Sequence, residues 1–405
     1  MWFFAGDESP KVIAAVARVV RDVGLAEDFA QEALVAALER WRRDGVPDNP
    51  GSWLVTTAKR RAIDHLRRAE TRERKYAEMA RDLEDHTDMP ELDHVEDDLL
   101  RLMFIACHPV LTQEARVALT LKLLGGLTTD EVARAFLVTP PTMAQRIVRA
   151  KRTLSEARVD FELPEPDERP ARLASVLEAI YLIFNEGYSA TSGDRWIRSE
   201  LCEEALRLGR VLAGLMPDEP EAHGLVALME LQASRLRART DAAGEPILLL
   251  DQDRGRWDHL LIARGLRSLE RAEELASLGP YALQAAIAAC HARARTPEET
   301  DWERIAALYA ELAVIAPSPV VELNRAVAVA MAFGPGAGLE IVDSLLEEPA
   351  LRNYHLLPSV RGDLLQKLGR TEEAGQEFTR AAELAQNDRE RALLMARAEA
   401  TQDPA

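Results

Sequence analysis

Three cysteines in 405 residues, Cys107, Cys202 and Cys290, lie far apart and form no C-x-x-C pair. That spacing excludes a disulfide framework and reads as buried, reduced thiols of a cytosolic protein. Cys107-His108 is a fragment of a metal-ligand pattern, but no second ligand cluster follows at zinc spacing, and His223, His259, His291 and His355 are scattered. No metal or cofactor is therefore expected. Aromatics are only 5% of the chain, and runs of β-branched residues bounded by turns are nearly absent, which argues against sheet. The apolar start Met1-Trp-Phe-Phe-Ala is too short for a signal-peptide core or a membrane span. No phosphate-cradling glycine loop accompanies the tail's most polar segments, Tyr181 to Tyr188 and Asp251 to Asp258. These read as a packed helix end and as an inter-helix loop pinned by Arg254 and Trp257, not as catalytic groups.

Ala, Leu, Arg and Glu abound, and they favour helix throughout. The expected fold is all-α. Net charge is −18, which looks wrong for a nucleic-acid binder. Most of that charge falls after residue 160, while the first part carries local basic patches. Lys59, Arg60, Arg61, Arg67, Arg68, Arg72, Arg74 and Lys75 form one; Arg146, Arg149, Lys151 and Arg152 form another. Phosphate binding depends on such patches rather than on the total.

Helical periodicity from Lys11 to Trp41 predicts a hairpin that starts after Pro10, with Gly24 ending its first helix and Ala26 to Arg43 forming the second. Phe29, Ala33, Leu34, Ala37 and Leu38 share one face of that second helix. Asp28, Gln31 and Glu32 share the opposite, polar one. After the turn cluster Gly45 to Gly51, Ser52 is expected to cap a third helix reaching about Arg74. Its buried stripe is Leu54, Ala58, Ala62, Ile63 and Leu66. Trp53, Lys59, Arg60, Arg61, Asp64, His65, Arg67 and Arg68 cover the rest, and mixed aromatic and basic groups suit single-stranded or melting DNA. An acidic linker follows around Glu78 to Asp98, and then helices over Asp97–His108, Thr112–Leu124, Thr129–Phe136 and Pro140–Ala157.

The last two of these helices read as a helix-turn-helix. Thr129 is expected to cap the first helix, with Val132, Ala133 and Phe136 facing inward. Thr139 caps the second helix and Pro140 fills its first position, where a missing N–H costs nothing. Ile147 and Leu154 anchor it. Thr142, Ala144, Gln145 and Arg146 are then placed for base edges, and Arg149, Lys151 and Arg152 for phosphates. Pro164 to Pro170 is a second linker, and everything after Ala171 is helical. Leu364 to Leu384, with Gly369 at its turn, looks like one tetratricopeptide unit; Asn324 to Ala330 and Tyr281 to Ala316 suggest others.

In this order, the three segments resemble the extracytoplasmic-function sigma factors of bacterial RNA polymerase, of the sigma-70 family. Asp28, Gln31 and Glu32 match the family's acidic helix that docks on the polymerase β′ clamp. Asn49-Pro-Gly-Ser-Trp-Leu and the basic helix after it match the −10 promoter-melting segment, and Leu127 to Leu154 matches the −35-reading helix-turn-helix. The resemblance implies region 2 over residues 1–75, a linker over 76–96, region 4 over 97–160, and a linker over 161–170. Residues 171–405 then form a tetratricopeptide-like domain that regulates activity. The implied partners are core RNA polymerase, through its β′ clamp and β flap, promoter DNA, and a peptide or protein bound by the tail; no membrane is implied. The paired Pro140-Pro141 departs from the single Ser or Gly common at that place. The alternative reading is a stand-alone helix-turn-helix regulator with a protein-interaction tail, which leaves Trp53 to Arg68 unexplained.

Overall fold

A computed structural model describes residues 2–77, 95–136, 138–189, 197–242, 244–275 and 278–401. Among these there are eighteen α-helices and no strand, only one isolated bridge between Thr240 and Pro246. The first eight helices are α1 (Trp2–Val20), α2 (Val23–Asp44), α3 (Pro50–Ala77), α4 (Val95–Ala106), α5 (Gln113–Leu123), α6 (Thr129–Ala135), α7 (Pro140–Glu156) and α8 (Arg169–Tyr188). Then come α9 (Ser199–Leu215), α10 (Pro220–Ala233), α11 (His259–Leu275), α12 (Pro280–Arg293) and α13 (Trp302–Ile315). The last five are α14 (Pro319–Phe333), α15 (Pro335–Ser344), α16 (Leu356–Lys367), α17 (Thr371–Leu384) and α18 (Asp388–Ala400). No described helix is long and apolar enough to cross a membrane. The chain divides into two compact units, Met1–Leu182 and Ile183–Ala405.

In the first unit α1, α2 and α3 pack on one another through alanines and short aliphatics: Ile13, Val16, Ala17, Ala33, Ala37, Leu54, Ala58 and Ala62 are all buried. Small side chains let the helix axes approach closely, so the three-helix core is thin but dense. Ile63 and Leu66 are only half-buried, and Leu38, expected inside, is exposed. A second core, including Leu102, Phe104, Leu119, Val132, Met143, Ile147 and Leu154, holds α4 to α7 together. This unit also includes the start of α8. Arg172 donates to the Phe104 carbonyl at 3.1 Å, and Glu178 accepts from Gln113 and Arg116 at 3.1 and 3.0 Å.

Caps decide the helix starts, and several differ from expectation. The first helix begins at Trp2 with Pro10 inside it, so the ring removes one N–H without ending the helix. It stops at Val20, not at Gly24, because Asp22 accepts from the Leu25 N–H at 2.9 Å and starts α2 there. Arg21 makes the turn at φ +52°. Pro50 opens α3, and Asn49, not Ser52, caps it by accepting from the Ser52 N–H at 3.0 Å. Thr128, not Thr129, caps α6 in a reciprocal capping box with Glu131. Thr139 and Pro140 start α7 as expected. The expected linker over 76–96 lies almost wholly outside the described residues, as do the side chains of Arg72, Arg74 and Lys75.

In the second unit successive helices pack mainly on their chain neighbours, which is the order of a solenoid. Gly369 turns α16 into α17 at φ +78°, where a side chain would be strained. Phe378, Ala374, Ala381 and Ala382 of α17 are buried, and the Phe378 ring packs on Gly362 of α16. Glu221 of α10 accepts from the Tyr281 and Ala282 N–H groups at 2.8 and 3.1 Å, so one helix caps the start of α12. Close approach of the same two helices is visible at Gly224, where a Cβ would sit 2.7 Å from the Ala282 nitrogen.

Two glycine substitutions should therefore have opposite signs. Gly224→Ala improves helix propensity yet drives a methyl into the α12 backbone, and should destabilise by about 1–3 kcal/mol. Gly214→Ala, in α9 with nothing within 4 Å of its Cβ, should stabilise by up to about 1 kcal/mol. Urea unfolding of the two variants measures both.

Candidate nucleic-acid interface

The exposed face of α7 carries Pro141, Thr142, Gln145, Val148, Arg149 and Arg152, spaced three and four residues apart. Val148 is 63% exposed, which is unusual for a branched apolar side chain and leaves a methyl-bearing group beside the polar ones. Thr142 shares a hydroxyl hydrogen bond with Thr139 at 2.9 Å, which fixes both at the helix start. Ala144 and Arg146 sit at the flank and are half-buried; the Arg146 guanidinium lies 5.8 Å from the Phe136 ring centre. Arg152 is paired with Glu156 at 2.6 Å on the surface. Thr142, Gln145 and Arg149 are thus the polar groups presented together on the outer face.

Lys151 is elsewhere. It stands four residues after Ile147 and three before Leu154, on the inward side, and its ammonium contacts the Glu27 carboxylate of α2. Glu27 is 4% exposed. Its other oxygen lies 3.3 Å from Lys122 of α5 and accepts from Gln31 at 2.9 Å. One buried carboxylate therefore joins α2 to both α5 and α7. A second does the same nearby: Asp98 of α4, 2% exposed, faces Arg101 at 2.8 Å and Arg18 of α1 at 3.5 Å. Burial pushes the Asp98 carboxyl above its usual range, and the Arg18 and Arg101 charges pull it back. A cavity of about 220 Å³ runs along this seam, lined among others by Asp22, Ile105, Lys151 and Leu154. Neither carboxylate stood out in the sequence, yet Glu27 falls in register with Val23, Ala30 and Ala33, and an acid on an apolar stripe was the available signal.

On α3 the residues expected at melting DNA divide in the same way. Arg60, Asp64, His65, Arg67 and Arg68 are exposed. The His65 ring meets the Phe29 edge at 5.5 Å. Trp53 is half-buried, its ring edge-on to Trp41 at 5.5 Å, so the indole is held in place with part of its surface open. Lys59 is half-buried next to Arg18 and Asp98; burial, then the Arg18 charge, lowers its ammonium below the usual range. Arg61 pairs with Glu32 at 2.7 Å. Asp28, Gln31 and Glu32 are exposed on α2 with Val35 (55%) and Leu38 (48%) on the same side, a stripe of acids and aliphatics open to solvent.

Removing the Glu27 charge leaves two lysine side chains, 16% and 21% exposed, facing each other without an anion. Glu27→Gln should cost about 2–4 kcal/mol, near the low end for a broken buried pair because both lysines reach partly to solvent. The triple variant Glu27→Leu, Lys122→Met, Lys151→Met should recover most of that loss. Denaturant unfolding followed by circular dichroism checks both expectations.

Comparison with known proteins agrees with this geometry. Residues 5–72 match sigma-70 region 2, residues 101–154 match sigma-70 region 4, and residues 172–273 match a family of unknown function, DUF6596. An uncharacterized protein of Rhizobium meliloti (strain 1021) is 45% identical over 391 residues, spanning 95% of this chain and 92% of its own length. The ECF RNA polymerase sigma factor SigK of Mycobacterium ulcerans (strain Agy99) is 33% identical over 155 residues, 36% of this chain and 78% of its own. The probable ECF RNA polymerase sigma factor SigI of Mycobacterium tuberculosis (strain ATCC 25618 / H37Rv) is 27% identical over 166 residues, 40% of this chain and 56% of its own. The two region matches, placed on the three-helix bundle and the helix-turn-helix just described, together with the likeness to SigK over most of its length, identify the chain as a member of the extracytoplasmic-function sigma-70 factors with a long helical C-terminal extension.

Proposed function

We propose that α7 reads duplex DNA at the −35 element while α3 captures bases unstacked at the −10 element, both under the control of core RNA polymerase. The observation that carries the first assignment is the outer face of α7. Thr142 and Gln145 lie within the first two turns of a capped helix, the part of a recognition helix that reaches base edges, and Arg149 follows one turn later, placed for the DNA backbone. Arg152 lies at the far end of that face, suited to a phosphate. For α3, Trp53 supplies a fixed aromatic plane with an open side, and Arg60, Arg67 and Arg68 supply phosphate contacts. The stripe of Asp28, Gln31, Glu32, Val35 and Leu38 fits the polymerase β′ clamp, because carboxylates next to exposed aliphatics favour a protein partner over DNA. Region 4 would meet the β flap.

The seam adds a condition. In the closed arrangement Lys151 and Lys59 are turned from DNA by Glu27 and Asp98, and Arg61 is paired with Glu32. Docking of the polymerase on α2 would compete for Glu32 and Gln31, the latter a hydrogen-bond partner of Glu27. Our reading is that engagement with polymerase loosens the seam and frees these cations. The acidic C-terminal helices are assigned a controlling role on the strength of their size and solenoid order.

Run-off transcription with core polymerase on genomic DNA tests the function and yields the promoter. The full chain should confer start-site selection. Trp53→Ala should lower open-complex formation about 10-fold, within the range for losing a stacking platform. Arg149→Ala should weaken promoter binding by holoenzyme with little effect on association with core. A chain ending after Tyr188 should change transcription from the same promoter, and unchanged transcription would remove the tail from the mechanism. Core enzyme that gains no start sites would refute the sigma reading itself.

A further inference from the structure

Many arginines of the second unit are neutralised: Arg207 by Glu204, Arg210 by Glu230, Arg361 by Asp343 and Glu377, Arg397 by Asp363. Of the arginines that form no ion pair among the described residues, four are gathered in one place. Arg237 and Arg256 line one hollow, and Arg235 and Arg254 lie near the ring of its Trp257. The hollow measures about 630 Å³ and is lined by Arg237, Gly255, Arg256, Trp257 and Asp258. Arg237 and Arg256 are exposed at its edge. Trp257 is 4% exposed, and its indole N–H has no acceptor in the structure.

The surroundings hold this arrangement rigid. Arg254 donates to the carbonyls of His291 and Ala294 at 2.7 Å each and to the Thr300 hydroxyl at 3.1 Å, which leaves its Nε–H without an acceptor. Its guanidinium lies 4.9 Å from the Trp257 ring centre, and that of Arg235 lies 5.9 Å from the same ring. The one carboxylate on the hollow, Asp258, is committed to the start of α11, where it accepts from the Leu260 and Leu261 N–H groups at 2.9 and 3.1 Å. Gly255 presents no side chain, and its own N–H is held by Asp253 at 2.9 Å. The local field is positive: burial, then Arg235 and Arg254, drives the nearby His291 imidazole down to about 3. Buried donors without acceptors, beside cations without anions, are the complement of an oxyanion.

We infer that the hollow formed by Arg237, Gly255, Arg256 and Trp257 is a binding site for a small oxyanion-bearing molecule, a phosphate ester or a carboxylate. The two edge arginines contact the anionic oxygens. This goes beyond the sigma reading and does not depend on it.

The test titrates the full chain with sodium phosphate and, separately, with sodium succinate, against sodium chloride at equal ionic strength. Thermal unfolding and tryptophan fluorescence are the readouts. A saturable change with phosphate alone assigns the site to phosphate esters, with succinate alone to carboxylates, and with both to oxyanions generally. The exposed double variant Arg237→Gln, Arg256→Gln should weaken the saturable response by about 10-fold or more. Arg352→Gln, an exposed arginine elsewhere in the unit, should leave it unchanged. A response that never saturates, that chloride reproduces, or that the double variant retains in full would overturn the assignment.

Discussion

A single carboxylate, Glu27, organises the N-terminal unit. At 4% exposure it loses most of its hydration, and that loss is offset by Lys151, Lys122 and the Gln31 amide acting together. Because the two lysines stand on α7 and α5 while Glu27 stands on α2, the ion cluster ties the three-helix bundle to the helix-turn-helix. Asp98 repeats the device between α4 and α1. Apolar packing sets how the helices approach, and charges that must meet within a few ångströms add a directional constraint between the two helical groups.

That arrangement sorts the basic residues into two populations. Arg149 on α7 and Arg60, Arg67 and Arg68 on α3 face outward, while Lys151, Lys122 and Lys59 face the seam. Counting positive charge along the sequence therefore overstates what the closed arrangement offers to DNA. The same logic extends to the tail. Many arginines there are paired with acids, and the set around Trp257 stands apart because arginines without an ion pair are gathered there beside one hollow.

Much of the fold was legible because it rests on local rules. Thr139-Pro140 starts a helix wherever it occurs on such a pattern, and Gly369 turns one helix into the next at a positive φ. Misplaced starts came from competition between adjacent candidates. Thr128 beats Thr129 because only Thr128 stands three residues before Glu131, and Asn49 beats Ser52 because Pro50 already occupies the first helical position. Pro10 reads as a boundary, whereas its helix continues through it. What could not be read was long-range. Glu27 looks like its neighbour Asp28 until the partner lysines, about 95 and 124 positions away, are brought beside it. Lys151 carried a readable hint, its spacing from Ile147 and Leu154, which placed it on the inward side of α7. Periodicity places Leu38 inside, whereas it lies exposed beside the acidic stripe.

Glu27 holds the three-helix bundle and the helix-turn-helix together in the free protein. Pulsed electron paramagnetic resonance between spin labels on α2 at Arg40→Cys and on α7 at Arg149→Cys, with Cys290 replaced by Ser, measures this directly. A narrow distance distribution that broadens when Glu27 is changed to Gln is the expected result. A distribution already broad in the otherwise native chain, and indifferent to that change, would contradict it.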